Sequence, residues 1–339
     1  MDCLKVPKSE GEKVRKELLK KELLYQEGVI DSEEDYLFIP LKEAADSTLE
    51  EFEYEIVDRE IKKRDKKERD YKNLVELPED LEDHLPSSYD IVGDIALVKI
   101  PEEIEDYRRQ VGEAILETHK NLKTVLKDKG VYGEFRKREV EYIAGEKKTE
   151  TTYREHGAEF QIDVAEVYFS PRLATERWRI VEKTRKDETV LDMFAGVGPY
   201  TVLIGRNVDV KHIYSIDLNP TAIEFLRKNV KNNYLEHLVT IFKGDAENIA
   251  PELTCDRIIM NLPHSSRSFI TSALSALEDE GTIHYYEIIE TEEEETSLER
   301  LKKKIGGEGF SSEILEKRIV RTYSSAESHM AYDIFVEKR

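Results

Sequence analysis

Asp192-Met193-Phe194-Ala195-Gly196-Val197-Gly198-Pro199 carries residue types that let a backbone approach a ligand closely, because Gly196 and Gly198 have no Cβ. An apolar run rich in β-formers, Thr189-Val190-Leu191, leads into it, and residues able to start a helix follow. A lone Gly-x-Gly is a weak signature. About 20 residues further on, His212-Ile213-Tyr214-Ser215-Ile216-Asp217 ends in a carboxylate, where a Rossmann-type fold places an acid on ribose hydroxyls. Asn219-Pro220 then supplies a helix cap and a first helical residue. Asp245 closes Lys243-Gly244-Asp245, and Asn261 opens Asn261-Leu262-Pro263-His264. Each polar residue alone is explained as a turn former or cap. Ligands of open α/β sheets bind at the carboxyl ends of strands, so these residues together predict one crevice for a nucleotide-like ligand.

A second set of residues has the types needed for proton transfer. Ser170-Pro171 reads as a helix cap and first helical residue, which puts Glu176 in the second turn with Leu173 and Ile180 as its helical neighbours. A carboxylate on such a partly apolar stripe is desolvated, which suits a base. The same spacing also permits an exposed Glu176 paired with Arg172 or Arg179. In Tyr132 to Gly145, an extended chain puts Arg136 and Arg138 on one face; a solvent-facing edge with paired charges explains them equally.

The elements that must hold these residues follow from periodicity. Strands are predicted at 189–194, 212–217, 239–245, 256–262 and 281–288, with helical intervals between most of them. That alternation implies a mostly parallel sheet covered on both faces. The tail, with strands near 312–323 and 329–337, has no intervening helix and reads as a hairpin-like end. The acidic run Glu292 to Glu295 starts a helix. Ahead of this domain, residues 1–60 read as a small α/β module with a helix from Gly11 to Leu24 and strands at 36–40 and 52–57. Residues 61–72 form a charged linker. Residues 73–168 form a second α/β module: a strand pair or bent strand around Gly93, helical spacing over 102–122, and a strand near 159–167.

The 339 residues suffice for two or three domains. Neither an N-terminal signal nor an apolar stretch of roughly 18 residues stands out, so a soluble, cytoplasmic protein with no membrane partner is expected. Cys3 and Cys255 have no zinc spacing and suggest reduced thiols, and no metal is predicted from the eight scattered histidines. A net charge of −21 argues against general attraction to nucleic acid, yet leaves room for a basic face on an acidic body.

The motifs Asp192-x-Phe194-Ala195-Gly196-x-Gly198-Pro199, Asp217-x-Asn219-Pro220 and Asn261-Leu262-Pro263 resemble the S-adenosylmethionine-binding motifs of class I methyltransferases. Joined with Phe135-Arg136-x-Arg138-Glu139 and Tyr168-Phe169-Ser170-Pro171-Arg172-Leu173-x-x-Glu176-Arg177, they resemble the archaeal and eukaryotic tRNA guanine-37 N1-methyltransferase family. The resemblance covers most of the chain from about Asp90 onward and implies a C-terminal Rossmann-like domain over 169–339, preceded by the two smaller α/β modules. It further implies that Tyr168, Asp192, Phe194, Gly196, Gly198, Asp217, Asp245 and Asn261 bind the cofactor, S-adenosylmethionine. Asn261 and Pro263 would line the pocket for guanine, with Arg177 and Arg136 also on the substrate side. Glu176 would take the N1 proton, and Arg138 would stabilise charge on O6. The first module would contact the outer corner of the tRNA, the anticodon loop would present the target base, and a monomer is expected. An aminocarboxypropyl transferase of wyosine biosynthesis and a non-catalytic RNA-binding protein are the competing readings.

Overall fold

A computed structural model describes residues 1–339 apart from Ser9, Glu22, Gln26, Glu27, Glu34, residues 43–51, Glu53, residues 63–69, Glu134 and residues 323–325. Most of the predicted charged linker therefore lies outside the described residues. The chain divides into two compact units, Met1–Glu76 and Leu77–Arg339. Among the described residues, no helix is long and apolar enough to cross a membrane.

Unit 1 contains β1 (Asp2–Pro7), α1 (Gly11–Lys20), β2 (Asp31–Glu33), β3 (Tyr36–Pro40) and β4 (Glu55–Asp58). The strands form one antiparallel sheet in the order β2-β3-β1-β4. Val14 and Leu18, one helical turn apart, are buried in a cluster with Leu4, Val6 and Ile39 of the sheet. The helix stops at Lys20 rather than Leu24, because Leu24 pairs with Leu41 as an isolated β-bridge.

Unit 2 begins with β5 (Asp90–Val92), β6 (Ile95–Val98), α2 (Arg108–Thr118), β7 (Thr124–Tyr132) and β8 (Lys137–Gly145), whose strands form a sheet in the order β5-β6-β7-β8. Gly93 turns β5 into β6 at φ +59. A separate hairpin follows, β9 (Glu150–Glu155) and β10 (Ala158–Asp163). Then come α3 (Ala174–Lys183), β11 (Thr189–Asp192), α4 (Pro199–Asn207), β12 (His212–Asp217), α5 (Pro220–Asn232), β13 (Val239–Lys243), α6 (Ala246–Ile249), β14 (Cys255–Met260), α7 (Ile270–Ser275), β15 (Leu277–Glu290), α8 (Glu294–Gly307), β16 (Phe310–Thr322) and β17 (Glu327–Lys338). These strands build a seven-stranded sheet in the order β13-β12-β11-β14-β15-β17-β16. Neighbouring strands from β13 to β15 are parallel, and β17 enters antiparallel between β15 and β16.

The parallel strands are buried on both faces, as their near-continuous apolar runs require. One cluster holds Val190, Ile213 and Ile259 with Val202 and Phe225 of the helices; the other holds Leu191, Ile216, Ile258 and Ile283 with Ile270 and Leu301. The hairpin β9–β10, assigned from sequence to the middle module, packs on α5. Asn229 accepts from the Gln161 N–H at 2.7 Å, Asn233 donates to the Glu159 carbonyl at 2.7 Å, and Phe160 and Ile162 join the first cluster. Side-chain amides satisfy backbone groups there, which ties the hairpin to the large sheet.

Candidate active site

The turn after β11 is built around two left-handed glycines. Gly196 has φ +56, and a Cβ there meets no atom closer than the Tyr168 carbonyl at 4.0 Å, so its open side is free for a ligand. Gly198 has φ +86, and a Cβ there would stand 2.3 Å from Leu226 Cδ1 of α5. Gly198 thus serves packing and turn geometry, while Gly196 offers bare backbone. The Gly196 N–H donates to Asp217 Oδ2 at 2.7 Å, and the Asn219 N–H donates to Asp217 Oδ1 at 2.8 Å. This carboxylate joins the glycine turn to the end of β12. Burial raises its pKa, opposed by those same amide hydrogen bonds.

The turn opens into a cavity of about 520 Å³. The carboxyl ends of β12, β11 and β14 supply Asp217, Phe194, Gly196 and Asn261, and Asp245 follows β13, capping α6 by accepting from the Glu247 N–H at 2.9 Å. Tyr168, Pro263, Arg136 and Arg177 also line it. The strand ends therefore converge as their sequence positions imply. Two predicted cofactor contacts do not reach the wall. Gly198 faces Leu226, and Asp192 is fully buried beneath the turn, where the Thr201 hydroxyl donates to its Oδ2 at 2.9 Å and its Oδ1 has no side-chain partner among the described residues. Burial pushes the Asp192 carboxyl up to about 7.

The predicted catalytic pair is also off the wall. Glu176 is buried, 2% exposed, as the apolar-stripe reading expects, yet its surroundings are ionic. Arg179 donates to it at 2.7, 3.1 and 3.2 Å, the Tyr286 hydroxyl donates to it at 2.7 Å, and Arg318 stands 3.5 Å away. Arg172 instead donates to Asp90 at 2.6 Å. The helix also starts later than its sequence suggests. Ser170 makes no side-chain cap; Pro171–Leu173 form a 3₁₀ turn, and α3 begins at Ala174, so Glu176 sits in the first α-helical turn. That tight turn lets the Ser170 carbonyl accept both the Leu173 N–H and the Arg177 guanidinium.

Arg138 lies in β8 and donates to Asp128 of β7. Arg136 does not share a strand face with it. It sits in the turn before β8 at φ +50, with its guanidinium 5.0 Å above the Tyr168 ring. A hairpin turn needs positive φ, and this requirement overrides the period-two pattern. Arg177, expected on the substrate side, lines the cavity while three of its N–H groups bond within the protein. It forks onto Glu155 at 2.7 and 2.5 Å and donates to the Ser170 carbonyl at 3.0 Å.

The sequence reading missed the basic wall of the cavity, made by His264, Arg321 and His329 beside Arg136. His264 adjoins the Asn261-Leu262-Pro263 motif, a usable local signal. Arg321 and His329 reach the cavity only because β17 runs antiparallel to β15, which pairs His329 with Ile288 and with Arg321 of β16. A chain of net charge −21 thus places two cationic side chains, Arg136 and Arg321, at one opening, with His264 and His329 beside them.

These charges act on His329, which is buried, with Nε2 lacking a hydrogen-bond partner among the described residues. Burial first, then Arg321, His264 and Arg136, lowers its pKa to about 4. The unfolded chain binds a proton near pH 6.5 and the folded chain does not, so stability falls as pH drops from about 6.5 toward 4. The slope from this group approaches ~1.4 kcal/mol per pH unit. Raised to about 7, the Asp192 carboxyl acts with the opposite sign in this window, so the test is a difference: between pH 7 and pH 5 the melting temperature of the unchanged chain should fall relative to that of His329→Asn.

Three family models match the chain: the tRNA methyltransferase 5 N-terminal domain over residues 3–50, the TYW2 N-terminal domain over 72–149, and the TRM5/TYW2 methyltransferase domain over 151–313. The tRNA (guanine(37)-N(1))-methyltransferase Trm5b of Pyrococcus abyssi is 40% identical, with 98% of each chain covered. A tRNA(Phe) (4-demethylwyosine(37)-C(7)) aminocarboxypropyltransferase of Pyrococcus horikoshii is 31% identical, over 78% of this chain and 94% of its own. A solved complex of aTrm5 and tRNALeu matches with a TM-score of 0.71 and 38% identity, covering 98% of this chain and 99% of that one.

Proposed function

The chain belongs to the TRM5/TYW2 methyltransferase family, and on that premise we propose that it transfers a methyl group from S-adenosylmethionine to N1 of guanine 37 in tRNA. The observation that carries this reading is a cavity in which the Gly196 turn, Asp217, Asp245 and Asn261 meet a wall carrying the guanidinium groups of Arg136 and Arg321. The first group suits an adenosine-bearing donor, and the second suits RNA phosphates.

The residues present fit the donor. Gly196 leaves open the space a Cβ would fill, Asp217 stands where a ribose is bound in folds of this kind, and Phe194 and Phe269 supply apolar wall. Bound there, S-adenosylmethionine supplies a methyl group on a sulfonium, which departs as a neutral thioether. The remaining work falls to the protein. Guanine N1 carries a proton at neutral pH, and Glu176 removes it. Negative charge develops on O6, and the Arg138 guanidinium stabilises it. Both groups are held in ion pairs, Glu176 with Arg179 and Arg138 with Asp128. Their chain neighbours Leu173, Arg177 and Arg136 already line the cavity. Asn261 and Pro263 line the guanine pocket, and Tyr168 flanks the donor. A base in a stacked loop reaches such a cavity only when flipped out. Unit 1 contacts the outer corner of the tRNA, and the enzyme works as a cytoplasmic monomer.

The alternative, aminocarboxypropyl transfer, is less well supported. The relative with that activity leaves uncovered a length of this chain about equal to unit 1, whereas the Pyrococcus abyssi methyltransferase is matched end to end. Mass spectrometry of nucleosides from treated tRNA separates the two readings. A gain of one methyl on guanosine is expected, and a gain of an aminocarboxypropyl group would replace the methyltransferase reading.

A further inference from the structure

We propose that Asp333 is a positioning residue for Glu176: it braces Arg179, which fixes the Glu176 carboxylate from one side while the Tyr286 hydroxyl fixes it from the other. The proposal rests on the reading of Glu176 as the base.

Asp333 lies in β17, 2% exposed, far from Glu176 in sequence. Its Oδ1 accepts from Arg179 Nη2 at 3.1 Å and contacts His284 Nδ1 at 2.7 Å. Its Oδ2 accepts from Arg179 Nη1 at 2.5 Å and stands 3.1 Å from Lys183 Nζ. Burial disfavours the charged form, but the hydrogen bonds from His284 and Arg179 prevail and hold the Asp333 carboxyl well below the usual range.

The proton on His284 is assigned by its neighbours. Arg257 Nη1 stands 2.6 Å from His284 Nε2, and an arginine can only donate. Nε2 is therefore the acceptor, and Nδ1 carries the proton and donates to Asp333. The ring is neutral, in keeping with the lowering of its pKa by burial. Arg257 is itself forked onto Glu188 at 2.7 and 2.9 Å. The result is a directed series, Glu188, Arg257, His284, Asp333, Arg179 and Glu176, crossing β14, β15 and β17 to α3.

The last link sets the carboxylate. Arg179 divides its planar fork, with Nη1 on Asp333, Nε on both oxygens of Glu176, and Nη2 on both acids. Glu316 is a third, longer ion-pair partner of Arg179, at 3.7 Å from Nη1; a guanidinium hydrogen-bonded to Glu176 and Asp333 on its two sides has a fixed plane, so the carboxylate opposite has one as well. Tyr286 of β15 donates to Glu176 Oε1, Tyr200 of α4 stands behind it with its hydroxyl 3.4 Å away, and Arg318 of β16 completes the surroundings. Buried ion networks give little stability over apolar packing of the same volume. What this one supplies is orientation.

The test measures single-turnover rates at saturating tRNA and donor for D333N and Y286F, each alone and combined with E176Q, with donor affinity from equilibrium binding. D333N should slow the chemical step by about 10- to 100-fold, and donor affinity should change less than about two-fold. On the E176Q background, D333N and Y286F should cause no further loss, because the group they position is gone. A D333N rate equal to the unchanged chain, or an equal loss on both backgrounds, would overturn the positioning role alone. An E176Q rate equal to the unchanged chain would overturn the base assignment and this role with it. If D333N no longer binds donor, R179K, which keeps the charge without the fork, is judged by the same criteria.

Discussion

Glu176→Gln is expected to slow methyl transfer by about 10²- to 10⁴-fold, the range for loss of a general base, with S-adenosylmethionine affinity unchanged. The carboxamide matches the carboxylate in shape but cannot take the N1 proton. Its carbonyl oxygen still accepts the Tyr286 hydroxyl. Arg179 is not left as a bare buried cation, because Asp333 holds it at 2.5 and 3.1 Å. Glu176 does not line the cavity, so the walls that receive the donor are untouched. A fall in rate with donor binding intact is the signature of an interaction used only in the chemical step. A non-catalytic RNA-binding protein would lose nothing, and an unchanged rate would remove Glu176 from the mechanism.

Arg177→Ala is expected to act through stability, lowering it by about 3–5 kcal/mol. The side chains of Arg177 and Glu155 are 2% and 4% exposed, so removing the guanidinium leaves a buried carboxylate without its cation. The same arginine donates to the Ser170 carbonyl and lies 5.0 Å over the Phe169 ring, so the segment that carries Tyr168 loses its anchor. Exchanging both partners, as in Arg177→Met with Glu155→Gln, should cost less than the single change, because no unpaired charge remains. Denaturant midpoints of the full chain measure both. A single-variant cost below about 1 kcal/mol, the level of a surface pair, would show that the fork does not hold this wall together.

The parts of the site legible in the sequence are those whose causes are local. Gly196 and Gly198 announce a backbone with positive φ. Asn219 and Asp245 announce helix caps, and both are capping residues in the structure. Strand ends carrying Asp217 and Asn261 follow from the alternation of apolar runs and helical intervals, which also implies the mostly parallel sheet. Charge pairing between distant elements was not legible. The partner of Arg138 is set by the hairpin register that joins β7 and β8, and the partner of Arg179 lies 154 residues away on a strand inserted antiparallel. Helical spacing correctly offered Arg179 as a neighbour of Glu176, but burial and pairing were weighed as alternatives, and the structure combines them. Arg136 shows the reverse failure: a period-two pattern runs into a turn whose conformation the pattern cannot reveal.

Methyl transfer to guanine 37 is tested most directly with S-adenosylmethionine labelled in the methyl group and two tRNA transcripts that differ only at position 37. Label is expected on the transcript with guanine and none on the one with adenine. Label on both would place the target elsewhere in the tRNA. Label on neither, with the donor shown to bind, would contradict the methyltransferase reading itself.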